Sequence, residues 1–79
     1  MEDVVMAALR RRVLEVLPDL DPAQVTDGSS LKELGANSVD RADVVTMTMD
    51  DLGISVPVRE FHDVRDIGSL ARLLRGHLG

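Results

Sequence analysis

The stretch Leu34-Gly35-Ala36-Asn37-Ser38-Val39-Asp40-Arg41-Ala42-Asp43 lies in the middle of the chain and marks where its main helix begins. Gly35 breaks any preceding helix, and a short polar link separates it from Ser38. From Ser38 onward a pattern typical of a helix continues to Leu52, where Gly53 is expected to act as the C-cap. The sequence therefore predicts a helix over residues 38–52 whose first residue presents a hydroxyl group to solvent.

Two further amphipathic segments flank this central helix. Before it, apolar residues recur every three or four positions and Pro18 follows them, which predicts a helix from Glu2 to about Leu17. After it, Asp66 is expected to cap a last helix whose first turn Gly68 weakens. The residues predicted to face the core are Met6, Leu9, Val13, Val16 and Leu17 in the first helix, Val45, Met49 and Leu52 in the central helix, flanked by Val44, Met47 and Thr48, and Ile67, Leu70, Ala71, Leu74 and Leu78 in the last.

The long connection over residues 18–37 carries local structure of its own. Asp21 followed by Pro22 predicts a short capped turn, and the spacing of Leu31 and Leu34 predicts one helical turn. A connection of this length is unusual in a compact domain and normally indicates function or local order. The apolar residues expected to hold it against the core are Leu20, Val25, Leu31 and Leu34.

The segment after the central helix is short and irregular. Residues 54–57 are extended but too short and isolated to form a sheet, and residues 58–62 are expected to form a turn around Phe61. The fold class predicted from these elements is all-α. It is a small four-helix bundle, with three main helices plus one short helix and a long first loop.

Composition excludes several classes of function. The 79 residues predict one domain, residues 1–79, with a small core. The net charge of −5 is concentrated in residues 13–58, where nine acids face two bases, so nucleic acid is not an expected partner. The chain has no cysteine, no long apolar run and no signal-peptide pattern. We therefore expect a cytoplasmic monomer that does not bind membranes.

No catalytic or metal site is predicted. His62 and His77 lie in separate segments without a second ligand at metal-binding spacing, and both are interpreted as surface residues. The acids of the long connection do not match a calcium loop. The run Arg10–Arg12 fans around a helix, so it is interpreted as a solvated face, with a partner contact as the alternative.

Ser38 taken alone would be interpreted as a helix N-cap. Its neighbours change that interpretation, because residues 34–40 closely resemble the attachment motif of acyl carrier proteins, Leu-Gly-(small)-Asp-Ser-(Leu/Met/Val)-Asp/Glu. The resemblance extends over nearly the whole chain. It includes Asp27-Gly28-Ser29-Ser30-Leu31 in the long loop, the extended Ile54 to Pro57, and Val64 to Ile67 at the start of the last helix.

The resemblance implies that Ser38 carries 4′-phosphopantetheine, transferred from coenzyme A by a phosphopantetheinyl transferase. Acyl groups would then be held on the terminal thiol as thioesters. A phosphodiester at this position would lie at a helix N-terminus, where free amides and the helix dipole stabilise negative charge. The carrier itself would need no activated serine and no metal, because the transferase performs the chemistry.

A narrower resemblance is to the free-standing donor carriers of polyketide β-branching cassettes, through Gly-Ala-Asn-Ser-Val-Asp-Arg-Ala-Asp. It implies that an acyltransferase loads malonyl, that a decarboxylating ketosynthase-like enzyme converts it to acetyl, and that an HMG-CoA-synthase-like enzyme receives the acetyl. The limits of the chain at Met1 and Gly79 are those expected of a free-standing carrier. Ordinary fatty-acid carriers have Asp where Asn37 stands, and Arg41 places a positive charge on a helix that is usually acidic.

The partner-recognition surface is expected on the start of the central helix. Its acids Asp40, Asp43, Asp50 and Asp51 offer charge, and Val39 and Ala42 offer an apolar contact beside the attachment point. The residues assigned to this surface are Asn37, Val39, Asp40, Arg41, Ala42 and Asp43. The alternatives are a general polyketide or fatty-acid carrier, an aminoacyl or peptidyl carrier, and a helical adaptor or scaffold without a prosthetic group.

Overall fold

The computed structural model describes residues 3–78, which form three α-helices and two short 3₁₀ helices. The α-helices are α1 (Val4–Val16), α2 (Ser38–Leu52) and α3 (Ile67–Gly76), and the 3₁₀ helices are Pro22–Gln24 and Val58–Asp63. No strand occurs in the described residues, so the predicted all-α class is confirmed. No helix in residues 3–78 has both the length and the apolar character needed to cross a membrane.

Helix α1 supplies a large part of the core. Asp3 is its N-cap and accepts a hydrogen bond from the Met6 amide at 2.9 Å. The predicted start at Glu2 lies outside the described residues. Met6, Leu9 and Val13 are buried as predicted, whereas Val16 and Leu17 are only partly buried. The predicted stripe omitted two further buried residues of α1, Val5 and Ala8.

Helix α3 closes the core from the other side of the bundle. Ile67, Leu70, Ala71 and Leu74 are buried as predicted, and Leu78 lies beyond the helix end, partly buried. Asp66 caps the helix by accepting from the Ser69 amide at 2.8 Å. This bond and the Ser69 hydroxyl hold the pKa of the Asp66 carboxyl below its usual range. The predicted α3 is therefore confirmed in position, cap and buried face.

The buried face of α2 differs by one position from the prediction. Val44 and Thr48, expected only as flanking residues, are fully buried, whereas Val45, Met49 and Leu52 are partly buried. The reason is that α2 packs chiefly against α1, and Asp51, which bonds Arg12 of α1, lies on the same line of the helix as Val44 and Thr48. The hydroxyl of Thr48 is satisfied because it donates to the Val44 carbonyl at 2.6 Å.

The arginine run of α1 does not form the solvated face that was predicted. Arg12 makes a bidentate ion pair with Asp51 of α2, with nitrogen–oxygen distances of 2.6 and 2.7 Å. Arg11 reaches the same carboxylate at 2.8 Å, and Arg10 donates to the Val25 carbonyl at 2.7 Å. Hydrogen bonds from Arg12 and Arg11 hold the pKa of Asp51 well below its usual range. We call Val44, Thr48 and Asp51 the inner face of α2.

The long connection is tied to the start of α3. The Ile67 amide donates to the Ser29 carbonyl at 2.8 Å, and the Gly68 amide donates to the Asp27 carbonyl at 2.7 Å. A Cβ at position 68 would lie 2.9 Å from that Asp27 oxygen. Gly68, expected only to weaken the helix, therefore permits a close backbone approach. The predicted turns at Pro22 and at Leu31–Leu34 are present. The four apolar residues expected to hold the connection contact the core, namely Leu20, Val25, Leu31 and Leu34.

Candidate functional site

Ser38 is the first residue of α2, and its side chain is exposed. The N-cap is the preceding residue, Asn37, whose side chain accepts from the Asp40 amide at 2.8 Å. The Asp40 carboxylate in turn accepts from the Asn37 amide at 3.2 Å, which completes a capping box. Within residues 3–78 the Ser38 hydroxyl has no hydrogen-bond partner. Capping is thus done by Asn37, which leaves the Ser38 oxygen available.

The turn before Ser38 is held by the backbone. Gly35 adopts a φ of 104°, a conformation that other residues rarely adopt. Directly after it, the Ala36 amide donates to the Leu31 carbonyl at 3.0 Å, and the Ala36 side chain is buried. The guanidinium of Arg41 donates to the Ala36 carbonyl at 3.0 Å. Both sides of Ser38 are therefore fixed while its own side chain remains outside.

The six residues predicted to meet partners lie within the last residue before α2 and its first two turns. Val39, Ala42 and Asp43 are exposed, and Val39 is the most apolar of them, with 66% of its surface accessible. Asp40 and Arg41 are half-buried. The Asp40 carboxylate takes part in the capping box, and the Arg41 guanidinium holds the preceding loop through the Ala36 carbonyl. Asn37, Asp40 and Arg41 thus have structural contacts in addition to any recognition role.

The predicted acidic surface is smaller than expected. Asp51 lies on the inner face and is bound by two arginines, so it is not available to a partner. Asp43 and Asp50 are exposed and remain on the surface of α2. Nothing in the local sequence around Asp51 indicated this, because its partners are nearly forty positions earlier in the chain.

An apolar groove runs beside the first turns of α2. It has a volume of about 380 Å³ and lies between α2 and the second 3₁₀ helix. Ala42, Val45 and Met49 line it from α2, and Val58 and Phe61 line it from the opposite side. The predicted core candidate Phe61 is therefore only partly buried, at the edge of this groove. We call Val39, Ala42 and Thr46, which are exposed beside this groove, the outer face of α2.

The residues around Ser38 fit a covalently attached phosphodiester. The amides of Ser38 and Val39 have no hydrogen-bond partner in the described part of the chain, as is usual at a helix start. These donors and the helix dipole would stabilise an anion attached to the Ser38 oxygen. The described residues contain no cluster of three or more His, Cys, Asp or Glu side chains that could hold a metal ion. His77 instead shares a hydrogen bond with Glu60 at 3.0 Å.

Comparison with known proteins gives consistent results. Residues 7–74 match the family model described as "Phosphopantetheine attachment site". The chain is 41% identical to a polyketide biosynthesis acyl-carrier protein, AcpK, of Bacillus subtilis (strain 168). That match covers 89% of this chain and 85% of AcpK. This chain is also 30% identical to an acyl carrier protein of Phenylobacterium zucineum (strain HLK1), over 100% of this chain and 99% of the relative.

A solved structure resembles the fold in detail. It is the crystal structure of the curacin biosynthetic pathway HMG synthase in complex with its acetyl donor acyl carrier protein. The match has a TM-score of 0.82 and 33% sequence identity, and it covers 91% of this chain and 92% of the matched chain. The bundle around the exposed serine is thus shared with proteins that carry acyl groups.

Proposed function

The chain belongs to the acyl carrier protein family, which binds 4′-phosphopantetheine, and from this premise we propose that Ser38 is the attachment residue. The observation that supports this assignment most directly is the exposed, unpaired hydroxyl of Ser38 at the start of α2. Asn37 performs the capping that a serine at a helix start usually performs. Modification of Ser38 would therefore leave the helix cap intact.

The prosthetic group would supply a thiol on which acyl groups are held as thioesters, which this cysteine-free chain lacks. The chain's own residues contribute position rather than catalysis. The capping box fixes the start of α2, and the exposed hydroxyl allows a transferase to reach it. We therefore assign the protein a non-catalytic role, as the substrate of its partner enzymes.

We further propose that the protein is the acetyl donor in polyketide β-branching. It would carry malonyl, which becomes acetyl on loss of carbon dioxide, and pass the acetyl to an HMG-CoA-synthase-like enzyme. Two similarities support this role: the 41% identity to a polyketide carrier and the structural match to an acetyl donor carrier in complex with HMG synthase. The remaining partners proposed are a phosphopantetheinyl transferase, an acyltransferase and a decarboxylating ketosynthase-like enzyme.

The attachment residue is tested by mass spectrometry after incubation with coenzyme A, magnesium and a broad-range transferase. We expect one phosphopantetheine addition to the native chain and none to Ser38→Ala. The matched control is Ser55→Ala, which removes another exposed hydroxyl outside the helices and should be modified normally. An addition to Ser38→Ala, or no addition to the native chain, would show that the assignment is wrong.

The donor role is tested by loading acetyl onto the modified protein and offering it to the HMG-CoA-synthase-like enzyme. Transfer should be fast for this protein and slow for a general fatty-acid carrier loaded in the same way. Equal rates for the two carriers would favour a general acyl carrier protein. The 30% identity to a carrier named without a polyketide role makes this the appropriate second candidate.

A further inference from the structure

A cavity next to the attachment site is lined by three cations. It has a volume of about 250 Å³ and lies between the long connection, α2 and the residues before α3. Lys32, Arg41 and Arg65 contribute one positive charge each, and Asp66 is the acid that borders it. We call this cavity the cation pocket. Such a concentration of positive charge is notable in a chain whose net charge is −5.

None of the three cations is paired with an acid of residues 3–78. Among residues 3–78, the side chains of Lys32 and Arg65 have neither a hydrogen bond nor an ion pair. The Arg41 guanidinium donates to the neutral carbonyl of Ala36 and is paired with no acid in the described part of the chain. Asp66 is charged, but its carboxylate already accepts the Ser69 amide at the start of α3. The side chains that line the pocket therefore carry three positive charges against the single negative charge of Asp66.

The cation pocket is within reach of a group attached to Ser38. Ser38 and Arg41 are three positions apart on one helix, which places their side chains about 5–6 Å apart at the Cβ atoms. Arg41 also borders the apolar groove, so it stands where the groove and the cation pocket meet. Leu31 and Leu70 line the pocket as well, beside Lys32 and Arg65, whose side chains are exposed and so accessible to an incoming anion.

The geometry points to an anion subsite that binds the free carboxylate of a malonyl group carried on Ser38. This inference rests on the proposed function, because it requires the arm and its dicarboxylic cargo. A planar guanidinium pairs well with a carboxylate, and Lys32 adds a mobile point charge. Malonyl would be held through its carboxylate, whereas acetyl has no charge and would be released. When the bond to the carboxyl group breaks, carbon dioxide leaves and the α-carbon takes a proton from solvent, so the uncharged acetyl group would free the arm for the acceptor enzyme.

The test follows the malonyl carboxylate directly. Malonyl-CoA labelled with ¹³C at the free carboxyl is used by the transferase to load the protein, and the ¹³C shift is titrated with pH. Opposite charges close to a carboxylate lower its pKa, so we expect the pKa to lie about 1 below that of malonyl-pantetheine. The groups that face it are Lys32, Arg41, Arg65 and Asp66.

Matched variants show whether the cation pocket causes the lowered pKa of the malonyl carboxyl. Arg65→Gln removes a cation without a described partner, so the fold should persist while the pKa of the malonyl carboxyl returns toward the free value. Arg41→Gln should do the same, with the apo-protein's thermal stability as a check on the loop that Arg41 holds. Arg59→Gln is the control, because Arg59 is exposed and outside the pocket. An unshifted pKa in the native protein, or an equal shift in Arg65→Gln, would overturn the proposal.

The phosphate of the arm is the competing source of negative charge. Backbone amide shifts around Lys32 and Arg65 are therefore compared in the unmodified, thiol-bearing, acetyl-loaded and malonyl-loaded protein. A change that appears only with malonyl supports the subsite. A change that is complete once the arm is attached assigns the pocket to the phosphate and refutes the malonyl assignment. If Ser38 is not the attachment residue, the mass addition is already missing in the earlier experiment. Failure of the proposed function is therefore distinguishable from failure of the malonyl subsite.

Discussion

The inner and outer faces of α2 belong to one helix but differ in what surrounds them. On the inner face, Val44 and Thr48 are fully buried and Asp51 is bound by arginines of α1. On the outer face, Val39 and Ala42 are exposed beside Ser38, the proposed attachment residue. The core therefore depends on one side of α2 only. The other side is exposed, so contact with the partner enzymes proposed above would require no change in core packing.

The largest difference between the faces is expected from a matched pair of valine truncations. Val44→Ala removes two buried methyl groups and should lower the free energy of unfolding by about 2 kcal/mol. Val39→Ala makes the same chemical change on the outer face and should alter it by less than about 0.5 kcal/mol. Urea denaturation of both unmodified variants measures the difference. Equal losses would mean that the outer face also contributes to the core.

A smaller effect is expected where the two faces begin, at the N-cap. Asn37→Ala removes the acceptor for the Asp40 amide and should cost about 1 kcal/mol in the free energy of unfolding. Asn37→Asp keeps an acceptor oxygen and should be close to the native protein in stability. Thermal or urea denaturation checks both. If Asn37→Asp keeps full stability but acetyl transfer slows, Asn37 acts in partner recognition as well as in capping.

The ion pair at the end of the inner face should make stability depend on pH. The folded-state pKa of Asp51 lies below its ordinary value of 3.8, so its contribution is complete above that value and is lost as pH falls toward the folded-state pKa. Asp51→Asn should therefore be less stable than the native protein near neutral pH, and this difference should shrink in acid. Asp50→Asn is the control, since Asp50 is exposed and has no ion pair within residues 3–78. A pH-independent difference would mean that the pair does not act through charge.

The smallest effect on stability is expected on the exposed side of α2, where the functional effect should be clear. Asp43→Lys should leave unfolding unchanged but lower kcat/KM for acetyl transfer roughly fivefold, the equivalent of about 1 kcal/mol for one exposed charge pair. Asp19→Lys makes the same charge change at an exposed residue of the long connection, outside α2, and should transfer normally. High salt should reduce the defect. Equal rates for Asp43→Lys and the native protein would place the interface elsewhere.

Local signals in the sequence were sufficient for the helices and for the position of Ser38 at the start of α2. The limits of α2 were predicted correctly, because Gly53 is a left-handed C-cap with a φ of 66°. The cap itself was assigned one residue too late when Ser38 was considered alone, since Asn and Ser cap equally well. The three-residue spacing of Asn37 and Asp40, typical of a capping box, was the available signal.

Contacts between distant segments could not be predicted. The buried face of α2 was displaced by one position because Val44 and Val45 are both apolar, and only the location of α1 decides between them. Arg12 is locally just one of three consecutive charges, and nothing nearby indicates its pairing with Asp51. Gly68 was judged by helix propensity, whereas its role is set by the Asp27 carbonyl that lies against it.

The bonds from Ile67 and Gly68 to the long connection have a consequence for folding kinetics. They close a ring of chain that contains the whole of α2. The chain loses conformational entropy when this ring closes, and the two hydrogen bonds stabilise the closed form only afterwards. The contacts between α1 and α2 do not include these two bonds, so we expect ring closure to follow the packing of α2 on α1. Hydrogen exchange at the Ile67 and Gly68 amides therefore reports how often the backbone that carries Ser38 is released from α3.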